Sequence, residues 1–222
     1  MRAATATAAR PGAAIAYFPA VGLALGAATA ALDAVLALVL PLPVVAAADL
    51  AFLAVASGGL HLDGLADAAD GLFSGRDAQA RLAVMRDSRI GAFGAAALML
   101  GLLLEFSALS LPLSADRAAT IVTAVTLSRA AMAFAVGAYP AARTDGLAAR
   151  MRASVRTRDV AAAGVIAGTV VGLLAPAPIV ALGVAIGVTT GVGAFAVRRI
   201  RGLTGDVYGA IGELTFALVL WT

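Results

Sequence analysis

Long apolar stretches alternate with short polar segments along the whole chain. An α-helix needs about 20 apolar residues to cross the hydrocarbon core of a bilayer. Seven stretches approach this length, near residues 13–40, 44–57, 91–113, 118–139, 160–174, 179–197 and 207–221. Prolines at 41 and 43 separate the first stretch from the second, and prolines at 176 and 178 separate the fifth from the sixth, as expected for tight turns. The pattern predicts an all-α polytopic membrane bundle with about seven transmembrane helices, or six, because the second stretch is short and interrupted by Asp49.

The composition excludes several classes of protein. Of the 222 residues, 62% are hydrophobic and 13% are charged, whereas a soluble domain has about 45–50% and 25%. A soluble domain, a disordered chain, a collagen and a coiled coil are therefore excluded, and we expect one transmembrane domain over residues 1–222. Cysteine is absent, which excludes disulfides, thiolate metal sites and a cysteine nucleophile. The first apolar stretch is too long for a cleavable signal peptide.

The arginines predict the orientation in the membrane. All sixteen basic residues are arginine, and fourteen precede the first stretch or lie in alternate connections, at residues 76–89, 143–158 and 198–201. Only Arg117 lies in the opposite connections, and Arg129 lies inside a stretch. The positive-inside rule places the arginine-rich side in the cytoplasm. The net charge of +3 thus indicates membrane orientation, because the basic residues are too few and too scattered for nucleic acid.

An acidic segment joins the second and third stretches. Residues 57–91 contain five of the thirteen carboxylates and the only histidine, His61. Asp63, Asp67 and Asp70 follow the spacing i, i+4, i+7 and so share one face of a helix. Because like charges on one face repel each other, this set predicts a positive group among them. Mg²⁺ prefers such oxygen ligands and commonly shares them with substrate phosphate.

A second helix is predicted directly after this one. A Ser-Gly pair ends the first helix, and Asp77 suits the N-cap of the next, which runs to about Asp87. Folded as a cytoplasmic hairpin, the two helices bring Asp87 close to Asp63, with Arg86 and Arg89 alongside. The segment is then a site of four carboxylates and two or three arginines. The alternative is a solvated acidic loop that its own arginines neutralise.

The run GGLHLDGLADAADGLFSGRD, followed by RDSRIGAFG, resembles the signature of the cobalamin synthase family. These are adenosylcobinamide-GDP ribazoletransferases of the late vitamin B12 pathway. Further segments resemble the family in the same order, namely residues 18–26, 128–129, 145–147 and 203–214. The chain departs from the family at Phe216, where a second carboxylate often follows Glu213. A catalytic acid is therefore not expected at that position.

The resemblance implies a reaction, a cofactor and a location. Adenosylcobinamide-GDP and α-ribazole, or α-ribazole 5′-phosphate, would be joined to give adenosylcobalamin, or its 5′-phosphate, with release of GMP. The implied cofactor is Mg²⁺. The enzyme would lie in the inner (cytoplasmic) membrane with its site on the cytoplasmic side. Beyond the lipid bilayer and these substrates no partner is expected, nucleic acid least of all, and the sequence does not fix the oligomeric state.

Three sets of candidate residues follow from the acidic segment and the resemblance. Metal-assisted phosphoryl transfer needs carboxylates that hold the metal and arginines that stabilise charge in the transition state. The metal ligands are predicted to be Asp63 and Asp67, with Asp70 and Asp87 next. The catalytic residues are predicted to be His61, Asp206, Arg86 and Arg89, and the substrate-binding residues to be Arg76, Arg129, Arg143, Gly64, Gly71, Thr204 and Gly205.

Two of these assignments have an alternative. His61 is equally well a structural hydrogen-bonding residue. Arg129 lies inside an apolar stretch, where an unpaired charge is costly, so it forms either an ion pair with Glu105 or a contact to a substrate phosphate.

Two other functions are alternatives. A membrane phosphotransferase of the CDP-alcohol type begins its signature with Asp-Gly and continues with Ala-Arg, whereas here Ala66 is followed by Asp67. A transporter would place its ionisable residues near the middle of the membrane. Here only Asp49, Glu105, Arg129 and Glu213 lie deep in apolar stretches, so a transporter is the more distant alternative.

Overall fold

The computed structural model describes residues 10–75, 77–111 and 116–222, which form ten α-helices after a short 3₁₀ helix, Pro11–Tyr17. The helices are α1 (Phe18–Leu36), α2 (Leu42–Ala56), α3 (Leu60–Phe73), α4 (Ala78–Val84), α5 (Ala92–Ser110), α6 (Arg117–Ala138), α7 (Gly146–Ser154), α8 (Thr157–Leu174), α9 (Pro178–Ile200) and α10 (Gly205–Val219). Seven of them (α1, α2, α5, α6, α8, α9 and α10) coincide with the seven apolar stretches. The all-α membrane fold is thus confirmed.

The number of membrane spans is smaller than predicted. Within the described residues, five helical segments are long and apolar enough to cross a membrane: Pro11–Leu36, α5, α6, α8 and α9. A sixth results only if α2 and α3, which meet at 87°, count as one bent span. Helices α2 and α10 have 15 residues each and rise about 22 Å, short of a hydrocarbon core of about 30 Å. The count is thus five or six, against about seven predicted, and six is the alternative that the sequence also allowed.

Two glycines form the elbow between α2 and α3. Gly58 and Gly59 have φ angles of 61° and 70°, a left-handed conformation that glycine adopts without strain. At these two residues the chain changes direction by 87°. As a result α3 does not continue the direction of α2, and its acidic face lies off the axis of α2.

Helix α6 lies at the centre of the bundle and is buried along most of its length. Two glycines of α1 allow close contact with it, because a Cβ atom on Gly22 would lie 2.8 Å from the Cα atom of Thr126. A Cβ atom on Gly26 would lie 2.9 Å from the Cα atom of Val122. Helix α10 packs on α6 from another side and also contacts α3. Helix α10 thus connects the acidic helix α3 to α6 at the centre of the bundle.

The arginine-rich connections meet at one end of the bundle. Arg86, in the connection before α5, binds Asp145, in the connection after α6. Arg10 binds Asp159 at the start of α8 at 2.9 Å. At the other end, Arg117 binds Asp33 with distances of 2.6 to 2.9 Å. These contacts agree with the alternation of connections that the arginines predict.

Candidate functional site

Helix α3 presents an acidic face on one side and packs against α10 on the other. Asp63 is exposed and Asp67 is half-buried. On the packed side, a Cβ atom on Gly64 would lie 2.9 Å from the backbone oxygen of Asp206. Gly64, predicted to bind substrate, therefore lies at a helix crossing. The crossing brings Asp206 near the acidic face, where its charge acts on Asp67 together with that of Asp63.

One cavity is lined both by the acidic face of α3 and by the turn after α4. Its walls include Asp63 and Asp67 of α3, together with Arg86 and Asp87 from the turn after α4. The cavity measures about 610 Å³, and we call it the acidic cavity. The hairpin thus brings Asp87 to the same cavity as Asp63, although its second helix has 7 residues against 14 in α3.

The third aspartate of the face has a different environment. Asp70 is buried, and its two carboxylate oxygens accept hydrogen bonds from the backbone N–H groups of Gly91, at 2.6 Å, and Gly94, at 2.8 Å. These groups belong to the start of α5, where a helix has unpaired N–H donors and a positive end. Asp70 therefore stabilises the start of α5, and both of its oxygens are occupied there.

The short helix α4 is held against α3 by its own side chains. Asp77 caps it, because its carboxylate accepts a hydrogen bond from the N–H of Ala80 at 2.9 Å. Arg81 is buried and donates hydrogen bonds to the carbonyl oxygens of Gly71 and Leu72 at the end of α3. A Cβ atom on Gly71 would lie 2.4 Å from Cγ of Met85, so Gly71 has a packing role at this contact.

Two of the predicted phosphate-binding arginines are paired with aspartates. Arg89 is exposed and donates to both oxygens of Asp87, at 3.0 and 2.7 Å. These hydrogen bonds lower the pKa of Asp87 to about 2. Arg86 binds both oxygens of Asp145, at 3.2 and 3.0 Å. Arg76, also predicted to bind substrate, lies outside the described residues.

Arg143 lies beside the acidic cavity, between two further cavities. Its guanidinium donates to the carbonyl oxygen of Leu82 at 2.9 Å, while its buried Nε atom has no hydrogen-bond partner among the described residues. Burial lowers the pKa of Arg143, and the charges of Asp206 and Asp145 oppose this shift. One cavity is lined by Arg86, Arg143 and Asp145, the other by Arg143, Asp145 and the start of α10.

The start of α10 supplies three predicted residues. The hydroxyl of Thr204 accepts a hydrogen bond from the N–H of Val207, which caps the helix, and donates one to Asp206 Oδ2 at 3.0 Å. Thr204, Gly205 and Asp206 all line the cavity next to Arg143. Burial raises the pKa of Asp206, which makes its carboxylate a better proton acceptor.

His61 and Arg129 lie elsewhere, in a small inner chamber that Glu105 and Glu213 also line. Arg129 donates to the Ser128 hydroxyl at 2.7 Å. The predicted ion pair between Arg129 and Glu105 is wrong, because Glu105 has no hydrogen-bond partner in the described part of the chain and the acidic charge acting on Arg129 is that of Glu213. Within the same residues, Nδ1 of His61 is likewise buried without a partner. His61 thus does not line the acidic cavity.

The acidic cavity contains carboxylates of the kind that Mg²⁺ prefers as ligands. In the part of the chain that the structure describes, no three His, Asp or Glu side chains form a ready metal cage. Mg²⁺ does not require one, because it is commonly held by one or two carboxylates together with water and substrate phosphates. Asp63 and Asp67, one helical turn apart in one cavity, match that pattern of ligands.

Comparison with known proteins gives a consistent set of relatives. A family model described as cobalamin-5-phosphate synthase matches residues 2–222. An adenosylcobinamide-GDP ribazoletransferase of Geotalea daltonii is 36% identical, over 95% of this chain and 85% of the relative. Proteins described in the same words from a Sinorhizobium species and from Frankia casuarinae are 39% and 37% identical, covering 93% and 94% of this chain and 83% and 84% of those relatives. No solved structure matches the chain significantly.

Proposed function

Because the chain belongs to the cobalamin-5-phosphate synthase family, we propose that it joins adenosylcobinamide-GDP to α-ribazole, or to α-ribazole 5′-phosphate, with release of GMP. The product is adenosylcobalamin or its 5′-phosphate. Family membership supports a transferase of cobalamin biosynthesis. The choice of substrates and the need for Mg²⁺ are our proposal.

The proposal rests on one observation: carboxylates and guanidinium groups lie close together around one cavity. Asp63, Asp67 and Arg86 line it, and the charges of Asp206 and Arg143 act on Asp67. Phosphoryl transfer depends on positioning and on charge stabilisation more than on covalent chemistry by the protein. A site with both signs of charge around a cavity meets these two requirements.

Asp63 and Asp67 are the residues we propose to hold Mg²⁺. When bound, the metal neutralises charge on the diphosphate oxygens. Asp70 is left out of this set, since its oxygens bind the start of α5. Asp87 lines the cavity but is bound by Arg89, so it becomes a ligand only if Arg89 releases it.

The remaining roles follow from position. Arg86 and Arg143 bind phosphate oxygens, because a guanidinium group offers paired donors that fit them. Asp206, oriented by the Thr204 hydroxyl and with a raised pKa, accepts the proton that the attacking hydroxyl of α-ribazole loses. His61 and Arg129 lie in the inner chamber and take no direct part in the transfer.

We propose that the site faces the cytoplasm at the inner membrane. The site lies at the end of the bundle where the arginine-rich connections meet, and the positive-inside rule places that end in the cytoplasm. Both substrates are polar molecules that approach the site from water.

The test is turnover by purified, reconstituted protein given adenosylcobinamide-GDP, α-ribazole and Mg²⁺. We expect GMP and cobalamin to form in equal amounts and the reaction to stop when EDTA removes the metal. Asp63→Asn and Asp67→Asn should each lower turnover by about 100-fold or more, as the loss of charge stabilisation does in other active sites.

Asp77→Asn is the matched control, because it removes the same charge from the same hairpin while asparagine still caps α4. It should turn over like the wild type. Product formation in EDTA, or full activity of Asp67→Asn, would contradict the proposed metal site. A protein that forms no cobalamin with either form of α-ribazole would contradict the proposed reaction.

A further inference from the structure

Asp145 lies between two arginines that the proposed function assigns to phosphate. One terminal nitrogen of Arg86 contacts both oxygens of its carboxylate, at 3.2 and 3.0 Å. The charges of Asp145 and Arg86 both act on Arg143. All three residues line one cavity of about 500 Å³. A carboxylate therefore binds one of two guanidinium groups in a cavity where a phosphate group would suit both.

This position connects the other cavities of the site. Arg86 also lines the acidic cavity with Asp63 and Asp67. Arg143 and Asp145 also line the cavity that contains Asp206. A diphosphate that extends from the acidic cavity into the cavity of Asp145 would contact Arg86, which lines both, so the two anions would compete for the same donor.

The contact between Arg86 and Asp145 is weak enough to be exchanged. The two side chains are 55% and 68% exposed, and exposed ion pairs add little to stability. A substrate diphosphate carries more charge than one carboxylate and has the bound metal beside it. Replacing Asp145 at Arg86 thus costs the protein little.

Asp145 also has a second position in which its carboxylate can be bound, at the N-terminus of α7. It is the N-cap residue of α7, yet its side chain makes no capping hydrogen bond. Aspartate is among the strongest N-cap residues, so the carboxylate can bind the free N–H groups of α7 once it leaves Arg86. The next residue, Gly146, has a φ of 87°, and a Cβ atom there would meet nothing within 4 Å. The backbone at this point has room to adjust.

We propose, on the basis of the proposed function, that Asp145 is an internal substitute for substrate phosphate: its carboxylate binds Arg86 in the empty site and moves to the N-terminus of α7 when the diphosphate binds. It thereby keeps Arg86 neutralised in the empty site and lowers the affinity of the site for anions that bind Arg86. Asp145 is then a residue that sets phosphate affinity without being a ligand of the substrate.

The experiment measures binding of inorganic pyrophosphate, in the presence of Mg²⁺, to the purified full-length protein. Asp145→Asn removes the competing charge and keeps the capping ability, so we expect pyrophosphate to bind about two- to five-fold tighter, in line with the strength of an exposed ion pair. Asp77→Asn changes the net charge equally and should bind like the wild type. In an Arg86→Gln background, Asp145→Asn should have no further effect.

Equal or weaker pyrophosphate binding by Asp145→Asn would overturn the inference, as would the same gain in Asp77→Asn or in the Arg86→Gln background. The outcome is separate from that of the turnover assay. Normal cobalamin formation with unchanged pyrophosphate affinity contradicts the role of Asp145 alone. A gain in affinity in a protein that forms no cobalamin contradicts the proposed reaction alone.

Discussion

Replacing Asp70 by alanine tests whether three aspartates with helical spacing share one role. In the structure Asp63 and Asp67 line the acidic cavity, whereas Asp70 binds the backbone of Gly91 and Gly94 at the start of α5. We therefore expect Asp70→Ala to lower the stability of the fold, and Asp67→Asn to abolish turnover without lowering stability.

The size of the effect follows from the two hydrogen bonds. A hydrogen bond to a charged group contributes about 1.5–3 kcal/mol, and loss of a helix cap costs about 0.5–2 kcal/mol. These values describe overlapping interactions, so we expect Asp70→Ala to lower the free energy of unfolding by about 2–4 kcal/mol. For a chain of this length that corresponds to a fall in Tm of about 5–12 °C. Asp70→Asn keeps one acceptor oxygen but turns its NH2 donor towards the other backbone N–H, so it should also lower Tm.

The assay is thermal unfolding in detergent, combined with turnover at a temperature where all variants are folded. Gly94→Ala is a control that leaves the charge unchanged, because its Cβ atom would lie 2.3 Å from Asp70 Oδ2 and displace the carboxylate. It should also lower Tm. Asp67→Asn removes one of several repelling charges and should keep or raise Tm.

The opposite pattern would refute this reasoning. If Asp70→Ala and Asp70→Asn unfold at the wild-type temperature but lose turnover, and if excess Mg²⁺ restores it, Asp70 is a metal ligand. The contacts to Gly91 and Gly94 would then contribute nothing measurable to stability.

Three further predictions concern orientation and mechanism. Since the chain has no cysteine, Ser74→Cys should react with a membrane-impermeant thiol reagent only from the cytoplasm, and Ala177→Cys only from the other side; labelling from one side in both would contradict the topology. The transfer should be direct, so labelled GMP should not enter adenosylcobinamide-GDP when α-ribazole is absent. Exchange that is lost in His61→Ala would instead indicate a phosphorylated His61. Because burial raises the pKa of Asp206, kcat should fall as pH drops through that pKa, and Asp206→Asn should lose this pH dependence; an unchanged profile would exclude Asp206 as the proton acceptor.

The positions of the membrane helices could be predicted because apolar length is a property of each segment alone. The prediction fails where geometry depends on neighbouring segments. Helix α2 ends at the elbow of Gly58 and Gly59, and nothing in its apolarity indicates that α3 leaves at 87°. The length of an apolar run sets only an upper limit on the length of a span, so the sequence cannot show that α2 and α10 have 15 residues each.

The candidate site was predictable to the extent that one helix face determines it. The spacing of Asp63 and Asp67 places both in one cavity, but the spacing cannot show that the start of α5 covers Asp70. The partner of Arg129 could not be predicted either, because the choice between Glu105 and Glu213 depends on which helix packs beside α6. The role of Arg81 could not be predicted from the sequence, because it depends on the contact between α3 and α4 that Arg81 itself stabilises.

The short helix α2 makes bilayer thickness relevant to the chemistry of this protein. Its 15 residues rise about 22 Å against a hydrocarbon core of about 30 Å. If α2 and α3 form one bent span, α2 alone does not cross the core, so either the lipid thins or part of α3 enters the bilayer, and either adjustment carries a modest energetic cost for each ångström of mismatch. The end of α2 is the elbow from which α3 and its aspartates begin. We therefore expect acyl-chain length in a reconstituted membrane to affect the position of α3.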